Sequence, residues 1–167
     1  ALPMFSLCEE PVASAEDVIR VADTLRHKWN VPEDGIDNVI AFLESLGIIV
    51  IEIEATIDFD GFSGLADQTP VIVLNKKYTP ERKRFTALHE LGHLVMNIDP
   101  SVSDKDAEKF CHLFAGEMLI SAEQMKQRLG DINHRKFSLQ ELAELQRIYG
   151  ISIDALMHKA KDFEMIG

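Results

Sequence analysis

Apolar positions recur along this chain first at helical spacing, then at strand spacing, then at helical spacing again. Val18, Val21, Ala22, Leu25 and Trp29 fall three or four apart and predict one buried helical face. Ser14, with Asp17 three residues on, suits the N-cap of that helix, and Pro32 stops it. A second helix is predicted from about Ile36 to Leu46, with Val39, Ile40 and Leu43 inward and Gly47 at its C-terminal cap. The period then shortens. Ile48 to Glu54 (IIVIEIE) is rich in branched residues and alternates at its end, Phe59 to Ala66 reads as an irregular or edge strand, and Pro70 to Asn75 as a buried strand. Helical spacing returns from Thr79, predicting helices over about 80–97, 104–119, 121–129, 138–149 and 152–163. The order αα, βββ, then helices predicts an α+β domain with a small three-stranded sheet packed with helices. Residues 1–13 lack periodicity and read as an arm or linker, leaving 14–167 as the domain.

Composition narrows the classes. At 167 residues, with 46% apolar and 27% charged, the chain suits one globular domain. The longest apolar run, Gly47 to Ile51, is strand-sized and far short of the ~20 residues that span a bilayer. No secretory signal opens the chain, and two cysteines, Cys8 and Cys111, make no disulfide framework, so a cytoplasmic location is expected. A net charge of −11 argues against direct nucleic-acid binding by this segment and suits a basic protein partner.

Chemistry concentrates at residues 89–93, His-Glu-Leu-Gly-His. On a helix the two histidines, four apart, share a face and can ligate one metal ion through neutral imidazole nitrogens. Glu90 points away from the pair, toward a water rather than the metal. Phe85, Leu88, Leu91, Val95 and Ile98 form an apolar stripe with His89 and His93 at its edge. Gly92 costs about 1 kcal/mol of helix propensity, which predicts a close approach by another element. A catalytic zinc takes three protein ligands and an open position. Downstream candidates for the third are Asp99, Asp104, Asp106, Glu108, His112 and Glu117. Asp104 and Asp106 fit the acidic first turn of a helix. Glu108 shares a face with Cys111, His112 and Ala115. The residues alone leave it divided between ligand and surface acid, and His112 between a place near the metal and a half-buried structural histidine. Gly61-Phe62-Ser63-Gly64 fits either an exposed edge against which a peptide pairs or a simple bulge. Tyr78 and His112 are the polar candidates to support an oxyanion. Residues 138–157 have the spacing of a helix-turn-helix, but Ile153, Asp154, Ala155, Leu156 and Met157 offer bases almost nothing, so core packing is the better reading.

Four stretches in order resemble the ImmA/IrrE metallopeptidase family: FDGFSGLADQTPVIVLN (59–75), ERKRFTALHELGHLVMN (81–97), EKFCHLFAGEMLIS (108–121) and LQELAELQRIYGISIDALMHKA (139–160). Ser121 stands where the family usually has proline, and His112 where asparagine is common. The resemblance implies a zincin-like fold, one Zn2+ held by His89, His93 and Glu108, and Glu90 as general base. It also implies a protein substrate, a helix-turn-helix transcriptional repressor cleaved in a regulatory or stress response. In many relatives a DNA-binding domain precedes the peptidase domain, and a chain beginning at Ala1 leaves room for one. The alternatives are a zinc peptidase of unrelated substrate and a non-catalytic metal-dependent sensing or binding module. An intact Glu90 speaks against the last, since a purely structural site has no use for a general base.

Overall fold

The computed structural model describes residues 9–130 and 138–166, with side chains through residue 162. Residues 1–8, most of the segment read as an arm, and with them Cys8, lie outside the described residues. The described elements run β1 (Pro11–Val12), α1 (Ala15–Lys28), α2 (Val39–Ser45), β2 (Ile49–Ile53), β3 (Gly61–Ala66), β4 (Thr69–Asn75), α3 (Pro80–Val95), β5 (Asn97–Ile98), α4 (Asp104–Leu119), α5 (Ala122–Leu129), α6 (Leu139–Tyr149) and α7 (Ile153–Ile166). The α+β class and the small three-stranded sheet are as the spacing predicts. No described helix is long and apolar enough to cross a membrane.

Side-chain caps set most of the helix starts. Ser14 Oγ accepts from the Asp17 amide, Thr79 Oγ1 from Arg82 and Ser103 Oγ from Asp106, while Ser121/Gln124 and Ser138/Glu141 form reciprocal capping boxes. Each such cap contributes about 1 kcal/mol. Helix α3 is shorter than its apolar stripe suggests. Met96 turns extended, and Ile98 sits in β5, which pairs in parallel with β1 and buries Val12 completely. Thus residues 11–12, which carry no periodic signal, are tied to the end of the histidine helix.

The sheet order is β2-β4-β3, with β2 parallel and β3 antiparallel to the central β4. Register places Val50, Ile72 and Ser63 in one row of the face toward α3, and Glu52, Leu74 and Gly61 in the next. Ile72 and Leu74 are fully buried there, and Glu52 is held by Lys83 of α3 at 2.7 Å. A Cβ at Gly61 would lie 2.7 Å from the Val73 carbonyl oxygen and 2.8 Å from Thr86 Cγ2, so only glycine lets β3 sit this close to α3. Ile49, Ile51 and Phe62 occupy the opposite face and remain substantially exposed.

Behind the sheet, α3 packs on α4 and α4 on α1. The α1 face is Val18, Val21, Ala22 and Leu25, as its spacing predicts. A Cβ at Gly92 would meet Phe114 Cδ1 at 3.1 Å, which is the close approach its place in the helix implies. Helices α6 and α7 bury Leu142, Leu145, Tyr149, Ile151 and Leu156, consistent with a packing role. They turn at Gly150, whose left-handed φ of +66° favours glycine and whose Cα side lies against the Arg84 guanidinium.

A charged cluster ties α1, α4, α5 and α7 together. Glu117 is fully buried, pairs with Lys159 Nζ at 2.6 Å and accepts the Ala122 amide at 3.0 Å. Arg26 donates to the Glu117 and Met118 carbonyls and to Gln124 Oε1. Partial burial, and then the neighbouring Glu117 carboxylate, raise the Asp23 carboxyl to about 7. A raised carboxyl favours the fold while it keeps its proton, so this contribution is fully present below the ordinary value of 3.8 and is lost progressively as pH rises to about 7. Asp23→Asn, neutral at every pH, is therefore expected to melt like the parent near pH 4 and at a higher temperature near pH 8. Thermal unfolding at the two values checks this, and an equal effect at both would contradict it.

Candidate metal centre

Helix α3 carries His89, Glu90 and His93, and α4 brings Glu108 across from them. The Glu108 carboxylate lies between the two rings, with Oε2 2.8 Å from His89 Nε2 and Oε1 2.8 Å from His93 Nε2. The histidine rings meet edge to face at 5.0 Å between centroids. Two imidazole Nε2 atoms and a carboxylate thus converge from two helices whose register is fixed by Gly92 against Phe114. Two imidazoles and a carboxylate are donor types that can hold one metal ion, and the 2.8 Å separations show the three groups gathered at one point. Burial holds His89 down at about 4, so at pH 7 its ring is neutral, the form that can ligate.

Cys111, one turn on from Glu108, also enters the neighbourhood. Its Sγ, a His89 nitrogen and a His93 nitrogen all lie within 4.8 Å of one another. Cys111 is completely buried, and burial pushes its thiol well above the ordinary range, so it packs as a neutral group. The spacing from Glu108 placed it on the right helix face, but nothing in the sequence marked it as lying beside the histidines.

Glu90 is buried, and burial raises its carboxyl above the ordinary range, opposed first by a hydrogen bond from Ser63. Ser63 Oγ donates to Glu90 Oε1 at 2.8 Å. That bond joins the GFSG segment to the site. Gly61 to Gly64 all lie in β3, which among the described residues pairs only with β4 and leaves its other edge open. Phe62 points away from α3 and is 54% exposed. At Gly64 an added Cβ would meet nothing within 4 Å.

His112 lies at the rim. Its ring centroid is 4.5 Å from that of His89 and 5.6 Å from that of Phe85. The remaining candidates are engaged elsewhere. Glu117 pairs with Lys159, Asp99 caps the turn at Ser101, and Asp104 and Asp106 sit in the first turn of α4. Tyr78 donates its hydroxyl to Asp58 and lies under the Arg82 guanidinium, 3.6 Å from its ring centroid.

Residues 43–161 match the peptidase family described as an IrrE N-terminal-like domain. No curated protein matches the chain. Among solved structures, a Mycobacterium tuberculosis transcriptional regulator is similar, with a TM-score of 0.56 and 13% identity. The match covers 95% of this chain and 51% of that one, so the chain spans about half the length of that relative, and the likeness concerns the fold alone. With most of its length matched and the HELGH helix at the centre of the match, the chain belongs to the IrrE N-terminal-like family of metallopeptidases.

Proposed function

We propose that this chain is a single-zinc endopeptidase of the cytoplasm, with His89, His93 and Glu108 as ligands and Glu90 as general base. The observation that carries the reading is the Glu108 carboxylate lying 2.8 Å from both Nε2 atoms, with the buried Glu90 next to His89 on α3. Zinc held by these three residues would supply Lewis acidity toward the peptide carbonyl and make water a stronger acid near pH 7. Glu90 accepts the proton of the attacking water and returns it to the leaving amine. Its raised pKa brings it nearer working pH, and the Ser63 hydrogen bond fixes one oxygen while the other serves the proton. The open edge of β3 pairs with the backbone of an extended peptide, and Phe62 offers that peptide an apolar contact. His112 is an accessory residue at the rim.

For the substrate we propose a helix-turn-helix transcriptional repressor. Family membership supports this, and a net charge of −11 suits docking of a basic DNA-binding protein, since complementary charge speeds encounter and selects partners. Such docking weakens as salt rises. In this reading the segment itself binds neither nucleic acid nor membrane. The test is to incubate the zinc-loaded protein with the repressor encoded beside it and with unrelated unfolded proteins such as casein, and to map fragments by mass spectrometry. Cleavage confined to the repressor is expected. Equal cleavage of every protein would leave a zinc peptidase of unrelated substrate, and no cleavage by the loaded protein would favour the sensing module.

A further inference from the structure

His89 leaves one atom unexplained. Its Nε2 faces Glu108, but Nδ1 is buried and has no hydrogen-bond partner among the described residues. A ligating histidine almost always donates its second ring N–H to an acceptor, which fixes tautomer and orientation. When Nε2 ligates an ion, the one hydrogen of the neutral ring sits on Nδ1, which then needs a buried acceptor. The nearest ring on α4 is His112, with centroids 4.5 Å apart and planes tilted by 55°. Phe85 lies on His112 at 5.6 Å and steadies that ring over α3. A histidine's outer torsion is soft, so the His112 ring can turn beside His89 without moving either helix.

We propose that His112 is a positioning residue for the metal centre: a His112 ring nitrogen accepts the hydrogen on His89 Nδ1 and so holds Nε2 toward the ion. A neutral imidazole has one nitrogen lone pair for this, and the amide oxygen of asparagine is the nearest chemical substitute. Leucine has comparable bulk and no acceptor. The neighbouring Cys111 thiol is the competing acceptor, a weaker one.

This inference rests on the zinc-centre reading, and the experiment separates the two. Zinc dissociation constants are measured by chelator competition for the full chain and for His112→Asn and His112→Leu, alongside the visible spectrum of each cobalt-substituted protein. His112→Leu is expected to bind zinc 10–100-fold more weakly with an altered cobalt spectrum, while His112→Asn stays near the parent. Equal thermal stability of the metal-stripped proteins shows that the loss is not one of folding. A leucine variant that binds as the parent does, or leucine and asparagine variants weakened alike, overturns the role of His112 and leaves the zinc centre standing. A parent chain that binds no zinc overturns both.

Discussion

Glu90→Gln is expected to lower kcat by roughly 10²–10⁴-fold while leaving the fold and the bound zinc intact. The amide is nearly the shape of the acid, and Ser63 can still donate to its oxygen, so the side chain keeps its place on α3. What it loses is the ability to take a proton. Because that step belongs to the transition state, kcat and kcat/KM should fall together with little change in KM. Steady-state kinetics on the cleaved substrate, with metal content measured on the same preparation, check this. If zinc leaves along with activity, Glu90 is a ligand and the division of labour proposed for α3 is wrong.

Glu108→Ala should weaken zinc binding far more than Asp104→Ala or Asp106→Ala. Four-ligand zinc sites bind with about 10–16 kcal/mol, so one ligand accounts for about 3 kcal/mol, roughly 10²-fold in affinity. Asp104→Ala and Asp106→Ala, altering acids in the exposed first turn of α4, should keep full occupancy. Elemental analysis after dialysis against a chelator strong enough to leave the parent just loaded reads the difference. Full zinc in Glu108→Ala would reassign the third ligand, and Cys111, already within 4.8 Å of both histidines, would be next in line.

The parts legible in the sequence are those whose cause is local. Helical spacing and the Ser14 cap located α1, and i,i+4 geometry alone put His89 and His93 on one face. Glu108 became specific only through its match to a family pattern, because a carboxylate on the polar side of a helix looks the same whether it faces water or a metal. The illegible parts depend on register and long-range pairing. The alternation in IVIEI identified β2 as a strand but did not say which face would be covered. In the structure Ile49 and Ile51 face outward while Glu52 turns inward to Lys83, because α3 brings a cation to that side. The Ser63–Glu90 bond joins residues 27 apart and exists only because antiparallel register aims Ser63 at α3. A two-residue strand such as β1 has no period to detect, since its pairing with β5 is set by tertiary contact. Glu117 looked like any acid until Lys159, 42 residues on, closed over it.

The central claim is that peptide hydrolysis here depends on one zinc ion held between α3 and α4. It is tested most directly by titrating zinc into the metal-stripped chain while counting repressor fragments, and new N-termini in a cell extract, by mass spectrometry. The account predicts no cleavage without metal, activity rising to a plateau at one zinc per chain, and loss on chelation. Cleavage that is unchanged in the stripped protein, or that persists in excess chelator, would contradict it.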